Sequence, residues 1–292
     1  YNIYIYLAVH VQLDNTRRFL ANDVEQSSKT TMQRTTRDSA SENSERTLLL
    51  AGGTDGIGFA FLMAECARCP PKYTTIYVLG RDFTRVDTEL PPAAHDTITK
   101  LVVDILDTAA MRQVFASHPS FQVAKVDDFV NSIGTFSRGV VADLTDEDVA
   151  GHFELNCIAN INLIRAVLPK LQWGGQLLVV TASLAVEARS PYALQSATKA
   201  ALHAFVNTVR LELRGKVRVM TVLPPSVNTR IFAKAGDTRV TTHYPPAARV
   251  AATMQFLLDG PTDICIPELR MEQHQFDETA VEGGGKIGGD NK

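Results

Sequence analysis

From Thr47 onward the chain alternates between continuous apolar runs and stretches with one polar face. TLLLAG (47–52), TTIYVLG (74–80), KLVVDI (100–105), DDFVNSIG (127–134), GQLLVVTAS (175–183) and VRVMTVLP (217–224) are apolar runs of strand length. Between them lie IGFAFLMAECA, DTAAMRQVFAS, DEDVAGHFELNCIANINLIRAVLPKL, ALQSATKAALHAFVNTVRLEL and PAARVAATMQFLLDG, whose apolar positions recur with a helical period. Strands apolar on both faces, separated by amphipathic helices, predict βαβ units and a parallel sheet with helices on both faces. DICIPELRM (263–271) predicts an added edge strand. The expected fold is a doubly wound α/β single domain over residues 47–272.

The flanks read differently. The stretch from Asp14 to Arg46 is polar and has no periodicity, as expected of a linker or disordered arm. YNIYIYLAVHVQL at the start is apolar but too short to span a bilayer. It reads equally as a targeting remnant, an unusual translation start or a strand-like arm. Residues 1–46 are thus expected to be an N-terminal extension, and 273–292, ending EGGGKIGGDNK, a flexible Gly-rich tail.

Composition narrows the function classes. Of 292 residues, 45% are hydrophobic and 21% charged, enough to bury a substantial core. A net charge of -3 without a basic cluster gives no reason to expect a nucleic-acid partner. No transmembrane span is expected. Cys66 and Cys69 form a C-x-x-C, but no second pair or nearby histidine completes a zinc site, and no metal is expected. The pair falls inside a predicted helix rather than at its start, which favours an ordinary structural role. A reducing compartment is the default, the cytoplasm being the expectation unless an upstream targeting peptide directs the protein to an organelle.

The first predicted strand runs into AGGTDGIG, with Gly52, Thr54, Gly56, Ile57 and Gly58 at the entrance to the first helix. Glycines there allow positive φ and let backbone amides approach a pyrophosphate at the positive end of that helix. The position between first strand and first helix makes the pattern informative. The G-x-x-x-G-x-G spacing resembles the loop of the short-chain dehydrogenase/reductase family, a Rossmann-like fold, and further landmarks follow in order. Asp104 in VVDILD resembles the acidic residue that contacts adenine. Asn131 to Gly134, NSIG, resembles the element after the fourth strand. Asn156 in ELNCIANI resembles the asparagine that holds a proton-relay water, and Ser183 in VVTAS resembles the substrate-orienting serine. Pro224 to Thr229, PPSVNT, with Val227, resembles the segment that holds the nicotinamide.

A carboxylate at the end of the second strand would bind the ribose 2′-OH of NAD. Here Arg81 follows Gly80, offering a guanidinium to a 2′-phosphate, so NADP is favoured over NAD. An ordinary exposed arginine is the alternative.

In SPYALQSATKAAL, Lys199 resembles the family lysine that binds the nicotinamide ribose. Four residues earlier, where the resemblance implies the proton-donating tyrosine, stands Gln195. A carboxamide can donate a hydrogen bond but not a proton, and losing a positioned acid costs roughly 10²–10⁴-fold in rate. Tyr192 lies seven residues before Lys199 and could reach the site only if it bends inward from a loop; otherwise it lines the pocket mouth or is packed. Ser183 stands twelve residues before Gln195, one fewer than the family spacing, so an ordinary strand-end serine is its alternative. Asn156 could likewise be a plain helix residue.

The resemblance implies an NADP-dependent oxidoreductase acting on a small carbonyl or alcohol, with weakened or atypical proton transfer. The competing expectation is a catalytically inactive nucleotide-binding subunit or sensor in a larger assembly. Non-redox chemistry such as isomerisation, with NADP bound as a structural group, is a third. The predicted helices at 145–171 and 192–213 resemble those that pair across subunits, which suggests a homodimer or homotetramer.

Overall fold

The computed structural model describes residues 45–274. The predicted N-terminal extension and Gly-rich tail lie almost wholly outside them. Seven strands, β1 (Thr47–Ala51), β2 (Thr75–Gly80), β3 (Ile98–Val102), β4 (Val126–Asn131), β5 (Leu171–Val180), β6 (Arg218–Leu223) and β7 (Glu268–Arg270), form one sheet. Its order is β3-β2-β1-β4-β5-β6-β7, and every neighbouring pair is parallel. Successive strands step outward to one edge, then return past β1 to build the other half. The reversal lies between β1 and β4, where a doubly wound sheet opens a crevice at its carboxyl ends.

Alternation along each strand divides the core in two. Leu48, Leu50, Val78, Val130, Leu178, Val180, Met220 and Val222 face one side. They pack against α1 (Gly56–Cys66), through Phe59, Phe61 and Leu62, and α8 (Ala247–Asp259), through Val250, Met254, Leu257 and Leu258. Leu49, Ala51, Tyr77, Leu79, Phe129, Leu177, Val179 and Val219 face the other. There they meet α3 (Thr108–Ser117), α5 (Asn160–Val167) and α6 (Ala193–Glu212). A period of two that is apolar on both faces is what a sheet covered by two helical layers requires.

The structure refines three sequence expectations. The third strand begins two residues earlier than predicted, so Asp104 lies in the turn beyond it. The long helix predicted over 146–171 is interrupted: α4 (Asp146–Phe153) runs into a π-helical turn, Glu154–Ala159, before α5. Cys66 ends α1 and Cys69 lies past it, so neither thiol sits at a helix N-terminus. Burial raises the Cys66 thiol to about 11, which suits a packed rather than a reactive cysteine. Two short helices, α2 (Thr84–Glu89) and α7 (Ile231–Lys234), carried no periodic signal. No described helix is long and apolar enough to cross a membrane.

At the amino end of the sheet, Asp128 is fully buried. It accepts hydrogen bonds from Tyr73 Oη at 2.6 Å and Arg46 Nη2 at 3.0 and 3.1 Å, with Lys72 Nζ at 3.6 Å. A buried carboxylate is tolerable only when paired and hydrogen-bonded in this way.

Candidate active site

The loop after β1 is shaped for close approach. Gly52 has φ +83°, which a side chain would strain, and its amide donates to the Leu79 carbonyl at 3.1 Å. A Cβ on Gly58 would lie 2.2 Å from the Gly52 carbonyl oxygen, so only glycine lets α1 start this near the loop. Thr54 packs against Gly80 at the end of β2, and Ile57 packs on the α1 side of the core. Across the crevice, a Cβ on Gly56 would lie 3.8 Å from the side chain of Thr229, which follows β6. Pro224 accepts the Ser183 amide at 2.9 Å, and Val227 is buried in the core between them and α8. The glycine loop and the PPSVNT segment thus approach each other at Gly56 and Thr229.

A cation cluster that sequence reasoning missed lies at this loop. Asp55 caps α1 by accepting the Gly56 amide at 2.8 Å, and its carboxylate also meets Arg85 at 3.1 Å, Arg230 at 3.0 Å and Lys234. Burial pushes that carboxyl up, but the hydrogen bonds from Lys234, Arg230 and the Gly56 amide outweigh it and hold it at about 2. Arg85 is also held by Glu89 at 2.7 and 3.1 Å, and Asp82 lies in the field of Lys234 and Arg230, so three cations and three carboxylates form a balanced, ion-paired rim at the loop. Arg85 also lies 4.1 Å over the Phe59 ring. Arg81 is exposed and pairs with Asp104 at 3.1 Å, while Asp104 also accepts the Leu106 amide.

Across the sheet, a buried polar chain holds the π-helical turn. Asn131, ending β4, donates to Asn160 Oδ1 at 2.8 Å and accepts the Ile133 amide. Asn160 in turn donates to the Leu155 carbonyl at 2.7 Å, satisfying a group that the turn frees. Asn156, within the turn and fully buried, accepts the Thr135 amide at 2.7 Å and donates to the Thr135 carbonyl and to Thr198 Oγ1. The structure therefore ties α4, the turn after β4 and α6 together through Asn156.

Gln195 and Lys199 stand one turn apart on α6, 6% and 5% exposed. Lys199 Nζ lies against the Gly134 backbone, 2.7 Å from where a Cβ would be. Among the described residues its ammonium has no hydrogen-bond acceptor, and burial alone pulls it down to about 8. Ser183 is buried at the start of a single 3₁₀ turn after β5 that packs against α6. His152, at the end of α4, places Nε2 3.4 Å from Gln195 Oε1. The sequence reading passed over it, although it lies one helical turn before Asn156 and that spacing was a usable signal.

Tyr192 has partners of its own. It precedes α6 rather than belonging to it, and its hydroxyl accepts from Arg239 Nη1 at 3.3 Å. Arg239 also lies 4.7–5.7 Å from the ring centres of Phe136, Tyr192 and Phe232, and is paired with Asp237. The tyrosine belongs to this aromatic and guanidinium cluster, formed by the loops after β4, β5 and β6.

The residues present fit a dinucleotide. The glycine loop leaves room for a pyrophosphate, and Lys199 is a buried donor without a protein acceptor among the described residues. Comparison with known proteins agrees. The profile of the short chain dehydrogenase family matches residues 46–240. A sepiapterin reductase from Chlorobaculum tepidum is 29% identical over 231 residues, covering 75% of this chain and 87% of that protein. Among solved structures, an alcohol dehydrogenase from Thermococcus sibiricus with bound 5-hydroxy-NADP superposes with a TM-score of 0.67 at 20% identity, covering 80% of this chain and 100% of that one. A short chain dehydrogenase from Burkholderia cenocepacia in complex with NADP gives 0.64 at 24% identity, covering 78% and 96%.

Proposed function

The chain belongs to the short chain dehydrogenase family, and we propose that it is an NADP(H)-dependent oxidoreductase that interconverts a carbonyl and an alcohol with an atypical proton donor. The observation that carries this reading is Lys199: a buried ammonium is retained beside the glycine loop's crevice at a cost in stability that a structural role would not require. Gly52, Thr54, Gly56, Ile57 and Gly58 would hold the pyrophosphate, Asp104 the adenine end, and Asn131 and Gly134 the floor of the crevice. Pro224, Val227 and Thr229 would hold the nicotinamide, with Lys199 on its ribose. Arg81 and Arg85, paired with Asp104 and Glu89 near the second-strand end, would exchange those carboxylates for a 2′-phosphate, which favours NADP over NAD. When bound, the dinucleotide supplies or takes up the hydride.

The chain's own residues handle the oxygen. Gln195 occupies the place of the family's tyrosine, and its carboxamide and the Ser183 hydroxyl would hydrogen-bond the substrate oxygen. Neither releases a proton near neutral pH. Lys199, whose ammonium is pulled to about 8, is suited to give one there and to recover it from solvent. Asn156 acts by fixing the turn after β4 and Thr198 against this site. Tyr192, held by Arg239, is reserved for the substrate side.

The test is NADPH oxidation by the wild-type protein with a panel of aldehydes and ketones, beside Gln195→Tyr. Slow wild-type turnover, increased by the tyrosine, supports the reading. No wild-type turnover, with activity appearing only in the variant, would assign the natural protein to nucleotide binding without catalysis.

A further inference from the structure

His152 is 8% exposed, and its imidazole faces a residue in the proposed oxygen-binding site. Its Nε2 lies 3.4 Å from Gln195 Oε1. Burial pulls this histidine below its ordinary range; the hydrogen bond to Gln195 opposes that, Lys199 from α6 adds to it, and Asp148 on its own helix opposes it. Burial thus favours the uncharged ring, in which one nitrogen donates and the other accepts. An amide oxygen only accepts, so a bond to Oε1 requires the Nε2–H tautomer.

That choice has a consequence for Gln195. A carboxamide has two ends of similar shape and opposite polarity. Turned one way, it donates from its NH₂ to a substrate carbonyl; turned by 180°, it points a carbonyl oxygen at another and repels it. A tyrosine hydroxyl does not face this choice, because one oxygen both donates and accepts. We propose that His152 is a positioning residue whose Nε2–H engages Gln195 Oε1 and so sets the polarity of the carboxamide, leaving its NH₂ end to donate to the substrate oxygen. The inference rests on the oxidoreductase reading for its catalytic consequence, but the pairing itself can be measured without turnover.

The test combines a titration with a kinetic cycle. The His152 ring signals are assigned by their loss in His152→Phe and followed by NMR against pH in the wild type and in Gln195→Met, which keeps the shape and removes the hydrogen bond. If Oε1 faces the ring, it stabilises the imidazolium, and Gln195→Met lowers the His152 pKa. If the NH₂ faces the ring, removing it raises the pKa. A rise or no change overturns the proposal.

In the kinetic arm, His152→Phe lowers kcat for carbonyl reduction by a little under about twofold, the loss when a carboxamide biased roughly five- to tenfold by one net hydrogen bond becomes equally populated in its two orientations. KM for NADPH stays unchanged, and His152→Gln, which keeps a donor, restores part of the rate. In a Gln195→Met background, which has no carboxamide to orient, His152→Phe then leaves kcat unchanged. An equal loss in both backgrounds would reduce His152 to packing and overturn the proposal. Absence of wild-type turnover counts against the oxidoreductase reading alone, and the titration then decides the pairing.

Discussion

Replacing Lys199 with methionine should make the cofactor-free protein more stable while removing its function. The ammonium is 5% exposed and has no acceptor among the described residues. Burial pulls it from 10.5 to about 8, which sets a ceiling of about 3 kcal/mol on the penalty for keeping it charged. The unfolded chain holds this proton up to about pH 10.5, whereas the folded protein releases it near pH 8. Between those values the unfolded state binds more protons, so this group makes stability rise with pH; below pH 8 both states are charged and the full penalty stands. Methionine fills a similar volume without a charge. In urea melts at pH 7 without nucleotide, Lys199→Met should exceed the wild type by about 1–3 kcal/mol, water penetration accounting for the lower figure. Near pH 10 the gap should largely close, the difference between the two proteins cancelling groups that titrate in both. Saturating NADPH should stabilise the wild type more than the variant. A variant less stable than the wild type at pH 7, or a gap independent of pH, would refute the argument that Lys199 is held against its own desolvation.

Other substitutions separate the parts of the site. Arg85→Ala should weaken NADPH binding by roughly three- to tenfold and NADH by less than about twofold in calorimetric titrations, because only the former carries the extra phosphate. Tyr192→Phe should change kcat by less than about threefold, against the 10²–10⁴-fold expected of a general acid, since its hydroxyl is engaged with Arg239. Asp128→Ala, which strands Arg46 and Tyr73 at the far end of the sheet, should cost about 3–5 kcal/mol in urea melts and leave NADPH affinity unchanged.

The sheet was legible because its signal is local. Six apolar runs bounded by glycines and polar turns mark strands, and the helices between them carry their own period. The strand-to-helix glycine loop was legible for the same reason, since Gly52 and Gly58 are required by a backbone approach made within a few residues. What escaped was non-local or aperiodic. Asp55 meets Arg230 and Lys234 across some 175 residues of chain, and no spacing rule connects them. The π-helical turn keeps a helical apolar pattern while shifting its register, so the sequence around Asn156 reads as one continuous helix. Tyr192 sits on the helical period leading to Lys199, but the helix begins one residue later and its hydroxyl turns to Arg239. His152 was within reach of an i, i+4 reading from Asn156; its partner Gln195 lies on another helix, and only the fold brings them together.

The measurement that bears most directly on the account is a calorimetric titration of the purified protein with NADPH and, in parallel, with NADH. The account predicts that both bind at one site per chain and that NADPH binds more tightly. Binding of neither nucleotide would contradict it, because the glycine loop and the buried Lys199 would then be serving no dinucleotide.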